Sequence, residues 1–152
     1  MIAEKIARFI TGITPGKIQG EAFEIARRGI TDFTGVALAG SKEEAGSIIA
    51  GCVREMGGKA QAGVIGKGFQ TSPHLAALAN GTMGHALDYD DLSFTYGAHP
   101  SVTLAPPVLA LGESLGASGK EVLTAYIVGF EAGARVSSPV AQSHYLPGAG
   151  GR

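Results

Sequence analysis

Ser72-Pro-His-Leu-Ala-Ala-Leu-Ala-Asn80-Gly-Thr-Met-Gly-His85-Ala86 is the stretch on which the reading of the fold turns. Pro73 behind Ser72 marks a helix start, because the first helical position leaves its amide hydrogen unpaired and proline has none to lose. Ala76, Ala77, Ala79, Gly81, Gly84 and Ala86 are then all small. A helix so thinly clad lets a neighbouring backbone come close.

The flanking segments supply the neighbours. Ile6, Phe9, Ile10 and Ile13 recur at steps of three and four, which predicts a short amphipathic helix over 3–13 that Pro15 and Gly16 stop. Phe23, Ile25, Ile30, Phe33, Val36 and Leu38, set among Glu21, Glu24, Arg27, Arg28 and Asp32, predict a longer one over 19–38, with Gly40 as its end. Ser41 with Glu44 reads as a capping box opening a third helix that reaches Met56 and stops at Gly57 and Gly58. Residues 60–69 are Gly-rich around Val64 and Ile65 and fit a strand or a loop. Beyond a break after Asp91, Pro106 and Pro107 predict the start of a fifth helix reaching Leu115. Ser118 with Glu121 forms a second capping box, ahead of a sixth helix carrying Leu123, Ile127, Phe130 and Ala134. The expected class is all-α: a multi-helix bundle in one domain over 1–152, with a short extended segment near 60–69. Residues 137–152, with Pro139 and Pro147, offer no closing element, so the chain is expected to be the leading part of a longer protein.

Composition removes several functions. Gly is 24 of 152 residues, about 16% against a norm of roughly 7%, yet without a three-residue period and interleaved with Ala, Val, Ile and Leu, so neither collagen nor a linker fits. Twelve Lys+Arg against 13 Asp+Glu leave no basic stripe for nucleic acid. No stretch approaches the ~20 apolar residues of a membrane span, and no secretory signal opens the chain. The lone Cys52 excludes an internal disulfide, and a cytoplasmic protein is expected.

The polar chemistry gathers in His85-Ala-Leu-Asp88-Tyr-Asp90-Asp91 and, after a short loop, His99-Pro100-Ser101. Carried on as a helix, His85, Asp88 and Asp91 share one face at three-residue steps, and Asp90 points away from Asp88. Three carboxylates within four positions repel one another unless cations, hydrogen bonds or protonation relieve them. The residues fit a plain helix end with His85 bonded inside the fold. They also fit a divalent metal site of His85, Asp88, Asp91 and His99, although the spacing matches no zinc signature and the expected metal is none. The segments 66–68 and 148–151 lack the remainder of a phosphate-binding loop. His144 and Tyr145 read as loop residues, and Cys52 as packing.

The string from Ala76 to Asp91, with His99-Pro100-Ser101 and Pro107-Val-Leu-Ala-Leu111-Gly-Glu113, closely resembles the MmgE/PrpD family, whose members include 2-methylcitrate dehydratase, cis-aconitate decarboxylase and iminodisuccinate epimerase. Val36-Ala-Leu-Ala-Gly40 and the run from Ala117 to Glu131 are similar to its N-terminal helices. The resemblance implies a helical domain within a longer, homodimeric, cofactor-independent enzyme acting on a small di- or tricarboxylate. Asp88 and His99 correspond to active-site residues of the decarboxylase-like members, and His85, Asp91 and Ser101 are expected to bind substrate. Two departures stand out: Leu92 occupies a position where many members have Thr, and the loop over 92–98 is one residue longer than in the decarboxylase-like pattern. Ser93 or Thr95 would have to supply the missing hydroxyl.

The implied reaction is dehydration of a 2-methylcitrate-like hydroxy acid, with decarboxylation and epimerisation as relatives of it. Each moves a proton or a carboxylate at a carbon beside a carboxylate, which requires an acid or base within hydrogen-bond reach and a site that stabilises developing negative charge. His99 suits the proton transfer and Asp88 is placed to orient it or act as acid. Arg135, Arg152 and Lys67 are the candidate cationic clamps. The alternative is a helical scaffold or dimerisation fragment without catalysis.

Overall fold

A computed structural model describes residues 1–145, and for 138–145 the backbone alone. Six helices and one hairpin make up the described residues: α1 (Ile2–Gly12), α2 (Gly20–Gly40), α3 (Glu44–Met56), β1 (Ala62–Val64), β2 (Phe69–Thr71), α4 (Pro73–His85), α5 (Pro100–Leu115) and α6 (Gly119–Tyr145), with a 3-10 turn at Pro15–Lys17. The all-α expectation holds, and the undecided segment is an antiparallel hairpin pairing Ala62 with Thr71 and Val64 with Phe69.

The small-residue helix lies at the centre. α4 packs against α2, α3, α5 and β1. Its Ala76, Ala79 and Met83 are wholly buried, together with Phe33 and Ala37 of α2, Val53 of α3 and Ala105 of α5. Gly84 is a point of close approach: a Cβ there would run into the Phe33 ring. Asn80, the one buried polar residue of α4, donates from Nδ2 to the Gly63 carbonyl at 3.0 Å and accepts the Ile65 amide at 2.9 Å, completing the hydrogen bonds of β1 on its free side. Glu113 of α5 accepts the Gly63 amide at 2.8 Å and the Gln70 carboxamide at 3.0 Å. The hairpin is thereby fastened to both helices.

Four boundaries differ from expectation. Ser41 does not open α3: it closes α2, its hydroxyl donating to the Leu38 carbonyl at 2.7 Å, and α3 starts at Glu44. α5 starts at Pro100, by the rule that places Pro73 at the start of α4, and runs on through Pro106 and Pro107. Those prolines withhold two amide hydrogens, so the carbonyls one turn back lack their usual partners. α6 continues through Pro139, which places His144 and Tyr145 on a helix rather than in a loop. α4 stops at His85, with consequences for the site. The second capping box forms as expected: Ser118 Oγ donates to Glu121 Oε2 at 2.7 Å, while the Glu121 amide donates to Ser118 Oγ at 3.3 Å. The Ser118 hydroxyl, and the Ser118 amide donating to the same Oε2 at 2.8 Å, hold the Glu121 carboxyl below the usual carboxylate range. The glycines and Arg152 of the final stretch lie outside the described residues. No described helix is long and apolar enough to cross a membrane.

Candidate active site

The helix cannot pass Asp88. Its φ is +53°, the only left-handed non-glycine residue among those described, and its amide donates to the His85 carbonyl at 3.1 Å in a closing turn. Aspartate tolerates this conformation better than most side chains, but it still carries strain of the sort that gathers at functional sites. The turn overturns the expectation of a shared helical face. Asp90, expected to point away, joins His85, while Asp91 leaves for another partner.

Four side chains converge. Asp90, with its side chain fully buried, places Oδ1 and Oδ2 at 2.9 and 3.1 Å from His85 Nδ1. His99 Nδ1 lies 3.3 Å from Asp90 Oδ2 and 3.3 Å from the Asp90 carbonyl. The two imidazoles meet edge to face with ring centres 4.9 Å apart. His99 Nε2 faces the other way, 3.9 Å from Oδ1 of Asp88, whose side chain is 78% exposed. Donor atoms of His85, Asp88, Asp90 and His99 all lie within 4.8 Å of one another, a set of two imidazoles and two carboxylates able to hold a divalent cation. Asp90 takes the place in it that spacing had given to Asp91.

Asp91 and Ser101 bind each other. Asp91 Oδ1 accepts the Ser101 amide at 2.9 Å and Oδ2 accepts its hydroxyl at 2.6 Å. With its single hydrogen committed there, Ser101 Oγ accepts from the Tyr126 hydroxyl at 2.6 Å. The Asp91 carboxylate thus caps the first turn of α5, where the helix dipole favours negative charge. Gly29 of α2 makes room, since a Cβ there would stand 2.7 Å from the Tyr126 hydroxyl. Burial, foremost, raises the Tyr126 phenol above its ordinary range, with the Asp91 and Asp32 charges adding to it and the Ser101 bond opposing it. Asp91 also reaches an apolar cavity of about 580 Å³ lined by Phe9, Ile13, Ile25 and Tyr126.

His99 is positioned by its neighbours in sequence. It is the residue before Pro100, which restricts it to extended backbone (φ −90°, ψ 94°), and it is the N-cap of α5. The loop before it is closed by the Ser93 amide on the Ala98 carbonyl at 3.1 Å and the Gly97 amide on the Ser93 carbonyl at 2.7 Å. Ser93 Oγ accepts the Tyr96 amide at 3.2 Å, so this hydroxyl serves the loop. The Tyr96 ring packs on Phe130 of α6 with centres 5.6 Å apart. Among the candidate clamps, Arg135 pairs with Glu131 and lies over the Phe9 ring, and Lys67 reaches Ser47 at 3.4 Å. Neither contact brings a cation to His99. Sequence reasoning missed Asp90 and Tyr126. Asp90 became legible only with the left-handed turn, and Tyr126 carried no signal apart from its place on an apolar helix.

The MmgE/PrpD N-terminal domain matches residues 4–149. Cis-aconitate decarboxylase of Homo sapiens is 27% identical over 151 residues, covering 96% of this chain and 31% of that protein. A cis-aconitate decarboxylase-like protein of Aspergillus oryzae is 27% identical over 144 residues, covering 90% of the chain and 30% of that protein. Cis-aconitate decarboxylase of Aspergillus terreus is 34% identical over 88 residues, 55% of the chain and 18% of that protein. The chain thus spans about a third or less of the length of these relatives, and with nearly all of it matched by the domain, it belongs to the MmgE/PrpD family.

Proposed function

We propose that the protein is a lyase of small polycarboxylates, with Asp88 and His99 at the reacting carbon. The observation that carries this reading is the orientation of His99: Nδ1 is turned inward on Asp90, and Nε2 faces out beside the exposed Asp88 carboxylate. In dehydration of a 2-methylcitrate-like hydroxy acid, Nε2 takes the proton from the carbon beside a carboxylate. The electron pair left behind forms the carbon–carbon double bond as hydroxide leaves the neighbouring carbon. A proton returned from the imidazolium or from Asp88 makes that hydroxide water. His85 stands beside His99 as a further contact for substrate, and Asp91 and Ser101 support the site by fixing the turn that carries His99. The charge that accumulates on the substrate calls for a cation supplied from elsewhere in the whole protein. The protein is proposed to work as a cytoplasmic homodimer.

Decarboxylation of a cis-aconitate-like acid is the second reading, favoured by the names of the relatives. The loop over 92–98, one residue longer than in the decarboxylase-like pattern, supports dehydration as the first reading, whereas Leu92 favours the non-catalytic scaffold. The test is turnover by the whole protein of 2-methylcitrate, citrate and cis-aconitate, following unsaturated product and carbon dioxide separately. His99→Ala is expected to lower kcat by roughly 10²- to 10⁴-fold and Asp88→Asn to lower it as well. A wild-type protein that binds and converts none of these acids would end the lyase reading in favour of a non-catalytic scaffold.

A further inference from the structure

We infer that Asp90 is the positioning residue of the site: its buried carboxylate and its main-chain carbonyl set the tautomers of His85 and His99 and so leave both Nε2 atoms as the free bases. The argument needs only the inventory of donors and acceptors. A neutral imidazole has one N–H and one lone pair, and an ionised carboxylate only accepts. His85 Nδ1 faces both Asp90 oxygens, at 2.9 and 3.1 Å, and must carry its proton there. His99 Nδ1 is hydrogen-bonded to the main-chain carbonyl of the same residue at 3.3 Å, with Oδ2 also 3.3 Å away, and must do the same. The lone pair of His99 is thereby forced onto Nε2, the nitrogen beside Asp88.

The surroundings reinforce the assignment. The Asp90 side chain is fully buried while those of His85 and His99 are 51% and 30% exposed, so the carboxylate lies beneath two rings whose outer edges meet solvent. The described contacts give it no lysine or arginine, so the His85 Nδ1–H is the hydrogen-bond donor that repays its desolvation, with His99 Nδ1 3.3 Å from Oδ2. Asp88 stands on the opposite, solvent side of His99 and can meet a substrate without disturbing the inner bonds. Asp88 and Asp90 therefore divide the work: Asp90 orients, and Asp88 shares the outer face.

The catalytic half of the inference rests on the reading of His99 as the proton-transfer group, and the tautomer half stands without it. The experiment is long-range ¹H–¹⁵N NMR of the full chain labelled with ¹⁵N-histidine, with the imidazoles neutral, for wild type and Asp90→Asn. The exposed His74 serves as internal control. In wild type His85 and His99 are expected in the Nδ1–H form. In Asp90→Asn the carboxamide offers a single oxygen, so at least one ring is expected to move to the Nε2–H form while His74 stays unchanged. In the whole protein the same variant is expected to lower kcat by roughly 10²-fold or more with KM little altered, the signature of a misoriented imidazole. Either ring in the Nε2–H form in wild type, or both still in the Nδ1–H form in Asp90→Asn, would overturn the assignment. Altered tautomers with undiminished kcat would overturn the catalytic half. Should Asp90→Asn fail to fold, the wild-type spectrum alone decides the tautomers. Correct tautomers in a protein that converts no polycarboxylate would count against the lyase reading and leave Asp90 in its orienting role.

Discussion

At the scale of single residues the site consists of two hydrogen-bond systems that start from neighbouring carboxylates and run in different directions. Asp90 serves the imidazoles and Asp91 serves Ser101 and Tyr126. Tyr126 makes the second system measurable. Its phenol is raised by burial, so the folded state holds that proton more tightly than the unfolded chain. The associated stability is complete below the unfolded phenol range of about pH 10 and is lost as pH rises through the higher folded value. Thermal unfolding against pH is expected to show stability falling on the alkaline side of pH 10, with Tyr126→Phe flattening part of that fall. A variant profile that superimposes on wild type would place the alkaline loss elsewhere. Of the expected site residues, His85, Asp88 and His99 were legible from type and proximity in sequence. Asp90 and Asp91 were interchanged, because a helical wheel assigns faces only while the helix lasts, and one left-handed residue resets the phase.

At the scale of elements, α4 was legible because its punctuation and its small residues agree: Pro73 starts it and its short side chains find close neighbours. The boundaries that failed are those where two signals compete. Ser41 has the chemistry of an N-cap, but stands where α2 needs its last carbonyls bonded. Pro106 and Pro107 look like a helix start and sit inside one, because Pro100 had already begun it. The hairpin is not legible in the sequence for a physical reason: three-residue strands have no periodicity to read, and Asn80 and Glu113, which hold β1 in place, lie far along the chain. Two glycines test how tightly α4 is held. Gly84→Ala is expected to destabilise by about 1–3 kcal/mol, since its Cβ meets the Phe33 ring. Gly51→Ala on α3, with nothing within 4 Å, is expected to stabilise by about 0.5–1 kcal/mol through helix propensity alone. Urea unfolding of both variants checks the pair, and equal effects would contradict the packing described.

At the scale of the whole molecule, the buried core runs through α2, α3, α4 and α5, while the outer surfaces keep large apolar side chains exposed, among them Ile25, Leu38, Ile48, Leu78, Leu111 and Leu115. Surface of this kind is costly in water unless something covers it. The 152-residue chain on its own is expected to bind a hydrophobic dye and to self-associate as its concentration rises, which sedimentation velocity will report. A dye-free monomer at all concentrations would show that these side chains are tolerated singly. The left-handed backbone of Asp88 reaches beyond this one molecule. Of the common side chains, glycine, asparagine and aspartate fit such a turn readily, and aspartate alone brings a carboxylate to it. Glycine or asparagine would keep the fold at lower or equal strain, so a lineage released from the need for chemistry would be free to drift to either. If Asp88 acts at the reacting carbon as proposed, an aspartate at this turn is a signature by which working and retired copies of the fold can be told apart from sequence.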